Sequence, residues 1–231
     1  MNNNFQQVNI INKVPTGIPG LDEILGGGIP ENRTVLISGT CGTGKTTLGM
    51  QFLTNAGPGI YVSFEEDLDN IREYSKTFGW DLNDMEAKGK LRLLKYDPFR
   101  LEDILEVIQN NIREIGARRI VFDSISALGI YMKDVSELRR MIIQAASLMR
   151  RNKCTTLMIS EVMPNSRALS RFGVEEFVAD GVILMDNVVE KSEIKRAISV
   201  WKLRGSDHSR GIHGYSITGN GISVKKSSGR G

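Results

Sequence analysis

"SGTCGTGKTTLGMQF", Ser38–Phe52, is the stretch that decides the fold of this chain. Within it Gly39, Gly44, Lys45 and Thr46 satisfy the phosphate-loop spacing G-x-x-x-x-G-K-[ST]. In such a loop backbone N–H groups and the N-terminus of the following helix cradle phosphates. Lys45 adds a point charge at the outer phosphates, and the Thr46 hydroxyl is placed to ligate Mg²⁺. The flanks agree: "RTVLISG" (33–39) reads as a buried strand entering the loop, and a helix is expected from Lys45 to about Asn55. The ligand of such a loop is a nucleoside triphosphate. Whether it is hydrolysed has to be read elsewhere in the chain.

Outward from the loop, apolar β-type runs alternate with helical patterns, the sign of a parallel sheet with helices on its faces. "GIYVSFEE" (59–66), "KLRLLKY" (90–96), "RRIVFDS" (118–124) and "TTLMISE" (155–161) read as strands. A helix is expected from Asp69 to Phe78. "LEDILEVIQNNIREIG" puts Leu101, Ile104, Leu105, Ile108, Ile112 and Ile115 on one helical face. "VSELRRMIIQAASLMRR" does the same with Val135, Leu138, Met141, Ile142, Ala145, Leu148 and Met149. After residue 181 "GVILMDNVV", "AISVWKL", "GYSIT" and "GISVKK" alternate between tight turns, which predicts antiparallel strands added at the sheet edge. The expected organisation is one domain over 14–225, an N-terminal extension at 1–13 and a disordered tail at 226–231.

The 231 residues suffice for a real core, and 40% apolar with 25% charged is the balance of a globular protein. The net charge of +3 permits nucleic-acid contact without arguing for it. No apolar run approaches the roughly 20 residues of a membrane span, and no signal peptide is visible. Cys41 and Cys154 lack metal-type spacing, and two free thiols without an export signal point to the cytoplasm. Cys41 reads as a filler of a variable loop position more readily than as a redox-sensitive nucleophile.

Asp123 ends a strand of hydrophobic residues, where a carboxylate faces the ligand crevice of a parallel sheet and can hold a magnesium shell. The competing reading is a cap for "DSISAL". Glu65 and Glu66 end the neighbouring strand. A carboxylate there can orient a water for in-line attack and accept its proton, and like-charge crowding would raise one pKa; a plain solvated turn is the alternative. Lys202 and Arg204, two apart in a strand, point to one face, as a clamp for phosphate charge or as a solvated basic face.

Taken together, "VPTGIPGLDEILGGGIPENRTVLISGTCGTGKTTLGMQF", "YVSFEED", "IVFDSISAL", "RFGVEEFVADGVILM" and "WKLRGSDHSRGIHGYSITGNGI" resemble the RecA-superfamily ATPases of the KaiC type, over about residues 14 to 225. The chain is most similar to the N-terminal of the two tandem domains of that family's circadian clock protein. The resemblance implies a RecA-like P-loop fold and a hexameric ring with ATP and Mg²⁺ between subunits. By the same resemblance Gly42, Thr43, Gly44, Lys45, Thr46 and Thr47 hold phosphates and magnesium. Glu65 is then the catalytic base with Glu66 beside it, and Asp123 the second magnesium residue. Lys202, Leu203, Arg204, Ser206 and His208 match the segment that reaches ATP from the neighbouring subunit, with Lys202 and Arg204 as trans-acting fingers. Two departures stand out. Glu175 and Glu176 lie where the clock protein's second domain has a Ser/Thr phosphoacceptor pair, so autokinase activity is not expected. Gly219 replaces an acidic residue of a nucleotide-contacting turn. With one domain, timekeeping is not expected either.

Two classes of function follow. One is a slow, assembly-coupled ATPase that acts as a regulatory switch on partner proteins not identified by the sequence. The other is a recombinase paralogue acting on DNA, with 162–180 lining a pore, Arg167 and Arg171 on phosphates, and Phe172 and Phe177 stacking bases. Glu175 and Glu176 are expected to offset those arginines, and nucleic acid is not favoured.

Overall fold

A computed structural model describes residues 11–97, 103–164 and 166–227. β1 (Lys13–Val14) pairs antiparallel with β2 (Ile29–Pro30) around the short helix α1 (Leu21–Ile24). β3 (Thr34–Gly39) enters the phosphate loop, and α2 (Lys45–Thr54) leaves it. There follow β4 (Gly59–Ser63), α3 (Leu68–Lys76), α4 (Leu82–Ala87), β5 (Leu91–Lys95), α5 (Ile104–Ile115) and β6 (Arg119–Asp123). Next come α6 (Ile125–Ile130), α7 (Val135–Arg151), β7 (Thr155–Glu161) and α8 (Glu175–Val178). Four strands close the chain: β8 (Gly181–Glu190), β9 (Glu193–Leu203), β10 (Ile212–Thr218) and β11 (Gly221–Lys225).

Nine strands form one sheet in the order β11-β10-β9-β8-β3-β7-β6-β4-β5. From β8 to β5 all neighbours are parallel, and β9, β10 and β11 add antiparallel. The mostly parallel sheet with an antiparallel C-terminal edge is therefore as expected. One strand differs. β8, grouped with the antiparallel segments, runs parallel to β3, with Val35 opposite Gly181 and Gly39 opposite Met185. Its first half is buried on both faces and so extends the parallel core. The chain reverses only at Lys191–Ser192, where φ is +49° and +68°. Positive φ at both positions is the requirement of a twist-matched two-residue hairpin.

Strand side chains alternate between two cores. Val35, Ile37, Tyr61 and Val121 pack with α2 residues such as Leu48 and Phe52, whereas Leu36, Ile60, Val62, Ile120 and Phe122 face α5, α6 and α7. On α7 the predicted stripe is buried at Leu138, Ile142, Ala145, Leu148 and Met149, while Val135, at the first turn, is 41% exposed. On α5 Ile104, Ile108 and Ile112 are buried and Leu105 and Ile115 flank them; Leu101 lies outside the described residues. Lys13 is already part of β1, and Ser227 donates its N–H to His213 Nδ1 at 2.9 Å. Among the described residues no helix is long and apolar enough to cross a membrane.

Candidate nucleotide site

Because β3, β4, β6 and β7 are parallel and in register, their C-terminal ends meet on one edge. Ser63 pairs with Asp123, and Gly39 with Glu161. The turns that follow enclose a pocket of about 350 Å³ lined by Gly42, Gly44, Lys45, Thr46, Glu65, Glu66, Asp123 and Glu161, with Cys41 and Ser124. Thr43 and Thr47 belong to the same loop and helix start without lining the pocket.

The loop is shaped by contacts far away in sequence. Gly44 has φ +87°, a conformation that favours glycine, and a Cβ there would lie 2.5 Å from Ile217 Cδ1 and push that side-chain tip aside. Thr43 turns its hydroxyl inward onto the Thr40 carbonyl (2.9 Å), and the Tyr215 hydroxyl donates to the Thr43 carbonyl at 2.5 Å. Lys45 Nζ donates to the Thr40 carbonyl at 2.8 Å and stands 3.9 Å from Glu161 Oε1. Burial lowers the Lys45 pKa, opposed by the charges of Glu161 and then Asp123.

Asp123 Oδ2 accepts hydrogen bonds from Thr46 Oγ1 and from Tyr61 Oη, each at 2.7 Å. Burial raises the Asp123 carboxyl pKa, against the hydrogen bonds from Thr46 and Tyr61. The cap competing for this position belongs to the next residue: Ser124 Oγ caps α6 by accepting the Ala127 N–H. For magnesium, Thr46 and Asp123 offer hard oxygens that already meet. Among the described residues no group of three or more His, Cys, Asp or Glu is arranged to hold a metal. Such a sparse oxygen set suits a cation that takes its other ligands from phosphate and water.

β4 ends at Ser63, short of the expected Glu66, and Ser63 Oγ donates to the Glu66 carbonyl at 2.7 Å, so both glutamates sit on a turn over the pocket. Glu65 Oε2 accepts from Ser124 Oγ (3.0 Å); Ser124 is 2.9 Å from Ser126 Oγ, which accepts the Glu161 N–H at 3.1 Å. The raised pKa falls on half-buried Glu66, through burial first and the charge of Asp123 second. Desolvation thus outweighs the like-charge crowding expected from sequence.

The C-terminal basic group is elsewhere. Leu203 pairs with Gly181, which pairs with Val35, so these residues lie at the N-terminal edge of β3, roughly 13 Å of strand away from Gly39. Lys202 Nζ donates to the Glu176 carbonyl at 2.7 Å, and Arg204 Nη1 is 3.8 Å from Asp180 Oδ1. Burial and then the Arg204 charge lower the Lys202 pKa. Leu203 is 4% exposed, so it can offer a ligand only its backbone. Ser206 Oγ donates to the Leu25 carbonyl and accepts from Lys13 Nζ (2.6 Å), and His208 Nδ1 meets the Ser209 carbonyl at 2.9 Å. None of the five lines the pocket of its own chain.

Among the described residues of 162–180, Phe172 is half-buried against Gly129 and the core, and Phe177 is 64% exposed. Glu175 is 1% exposed and does not offset surface arginines as expected. Tyr61, Tyr215 and Glu161 were not singled out from the sequence. For Glu161 a signal existed, since it ends "TTLMISE" as Asp123 ends its own strand. The two tyrosines carry none, because their partners are 62 and 172 residues away.

Residues 14–229 match the family model described as "ATPase: KaiC". The chain is 38% identical over 229 residues to the circadian clock oscillator protein KaiC of Thermosynechococcus vestitus, covering 93% of this chain and 44% of that protein. It thus spans a little under half the length of such relatives. A UPF0273 protein of Pyrococcus horikoshii is 38% identical over 233 residues, covering 92% of this chain and 93% of that one. Among solved structures, a KaiC-like protein of Pyrococcus horikoshii OT3 superposes with a TM-score of 0.87 at 34% identity, over 94% of this chain and all of that one. The nucleotide-loop fold, the motif order and these matches agree: the chain belongs to the KaiC family of ATPases.

Proposed function

We propose that this protein is a Mg²⁺-dependent ATP hydrolase whose active sites form between subunits of a ring, a hexamer by family resemblance, and that it works as a regulatory switch. The observation that carries the reading is a separation. Lys45, Thr46, Glu65, Glu66 and Asp123 gather at one edge of the sheet, while Lys202 and Arg204 stand at the other. Among the described residues that line the pocket, phosphate-binding, metal-binding and water-orienting groups are present, and Lys45 is the one cation. A neighbour's Lys202 and Arg204 supply further positive charge for the γ-phosphate.

In this scheme the loop N–H groups and Lys45 hold the phosphates, so Lys45 exchanges the Thr40 carbonyl and Glu161 for phosphate oxygen. Thr46 and Asp123 would hold Mg²⁺, which when bound neutralises phosphate oxygens. Glu65, exposed and steadied by Ser124, orients the water and takes its proton. Glu66, with its raised pKa, stays beside it as a neighbour that does not add a full charge at lower pH. Positive charge from the adjacent subunit then stabilises the transferring phosphoryl group.

Glu65→Gln is expected to retain ATP binding and lose about 100-fold or more of hydrolysis, whereas Lys45→Ala loses binding itself. Fluorescent-nucleotide binding and phosphate release measured on both variants decide it, and wild-type turnover in Glu65→Gln would refute the base assignment. No autokinase activity is expected, since Glu175 and Glu176 stand in place of hydroxyl acceptors. Label from γ-labelled ATP retained on the denatured chain would contradict that. The packing of one face of Phe172 against the core weakens the DNA-acting alternative.

A further inference from the structure

Glu175 is a buried carboxylate whose four hydrogen bonds all come from neutral donors. Its Oε1 accepts from Ser160 Oγ (3.2 Å) and the Phe172 N–H (3.4 Å), and its Oε2 from Ser170 Oγ (2.6 Å) and the Val174 N–H (3.1 Å). A backbone N–H reaches each oxygen, so the NH₂ of a glutamine would face a donor whichever way it turned. These bonds fold residues 170–175 into a tight turn and moor it to β7. On β7 the residue after Ser160 is Glu161, which faces Lys45 in the nucleotide pocket.

The turn does something specific on its far side. The Glu176 carbonyl holds Lys202 Nζ, and Ser170 Oγ, whose single proton serves one carboxylate at a time, lies between those of Glu175 and Glu176. The Ala179 N–H returns to the Glu175 carbonyl at 3.0 Å. Asp180, 3% exposed, then accepts from Arg150 (3.0 Å), stands 3.8 Å from Arg204 Nη1, and receives the Arg204 N–H on its own carbonyl at 3.0 Å. Both cations of the C-terminal pair are thus held by the six residues that begin with Glu175.

We propose that Glu175 is a positioning residue for Lys202 and Arg204: it fixes the turn that holds the two cations, and so acts on the neighbouring subunit's nucleotide rather than on its own. The inference rests on the trans role of that pair. It also gives the pocket of one subunit a bonded route, Glu161–Ser160–Glu175–Glu176/Asp180, to the cations serving the next. A purely architectural Glu175 would stabilise the fold and leave no directional effect on activity.

The test uses co-expressed pairs of chains, each defective alone. Arg204→Ala keeps its pocket and lacks a finger; Glu65→Gln keeps its fingers and lacks the base. Their mixture should regain ATPase activity, and no recovery overturns the trans reading and this inference together. Glu175→Gln alone should lose about tenfold or more in turnover at unchanged ATP affinity. Mixed with Glu65→Gln it should recover, because its pocket is intact and receives sound fingers. Mixed with Arg204→Ala it should not, because its own fingers are misplaced. Recovery with Arg204→Ala would show that the fingers do not need Glu175, and joined to failure with Glu65→Gln it would assign Glu175 to its own pocket; failure with both partners would assign it to the fold. Each of these results overturns the proposal while leaving the trans reading standing. If Glu175→Gln does not fold, Ser160→Ala removes one of the four donors and should give a weaker form of the same one-sided pattern. A symmetric loss there overturns the proposal.

Discussion

Lys45 is committed to protein oxygens before any phosphate arrives, with the Thr40 carbonyl at 2.8 Å and Glu161 at 3.9 Å. A buried ammonium needs such partners, and they make binding an exchange of partners rather than the filling of a void. The two thiols contrast sharply with this. Cys41 is exposed in the nucleotide pocket; Cys154 is buried against the Ala117 carbonyl at 3.4 Å, and burial pushes its pKa up to about 11. Since the thiolate is the reactive form, one thiol per native chain should react promptly with a disulfide reagent near pH 7.5, and the second only after unfolding. ATP should slow the first. Two fast thiols, or no protection by ATP, would contradict this arrangement.

Among the elements, Gln51 shows how the nucleotide helix is fastened to the last strand. Its amide is almost wholly buried; Nε2 donates to the Ile222 carbonyl at 3.1 Å and Oε1 accepts the Ile222 N–H at 2.7 Å. Gln51→Ala leaves both backbone groups unpaired and is expected to cost about 2–4 kcal/mol of stability, read by denaturant unfolding. A change under ~0.5 kcal/mol would mean water replaces the amide. This fastening also marks what sequence could and could not tell. β3, β4, β6 and β7 were legible because continuous apolar runs have one stable use, a sheet covered on both faces. Lys45, Thr46 and Asp123 were legible because their chemistry fixes their spacing or their place at a strand end. α4 and α8, of six and four residues, carry too few turns for a periodic signal. The direction of β8 was lost because a buried strand reads alike whichever way its neighbour runs. Gln51, Tyr61 and Tyr215 were lost for a different reason: nothing near them in the chain announces their partners.

For the whole molecule, the proposed trans role of the Lys202–Arg204 pair, which lies away from the pocket of its own chain, would make activity a property of the assembly. Turnover per chain should therefore rise with protein concentration and level off once rings are complete, in parallel with the mass measured by light scattering. A per-chain rate that stays constant while the assembly dissociates would rule this out. The hydrogen bond from Tyr215 to the Thr43 carbonyl carries a consequence for synthesis on the ribosome. Thr43 emerges 172 residues before the side chain that pins it, which at ordinary elongation speeds is roughly 10–30 s. Throughout that interval the loop exists without its last brace, and so does α2 without its anchor at Ile222. A nascent or prematurely terminated chain thus carries the phosphate-binding motif without the finished cradle.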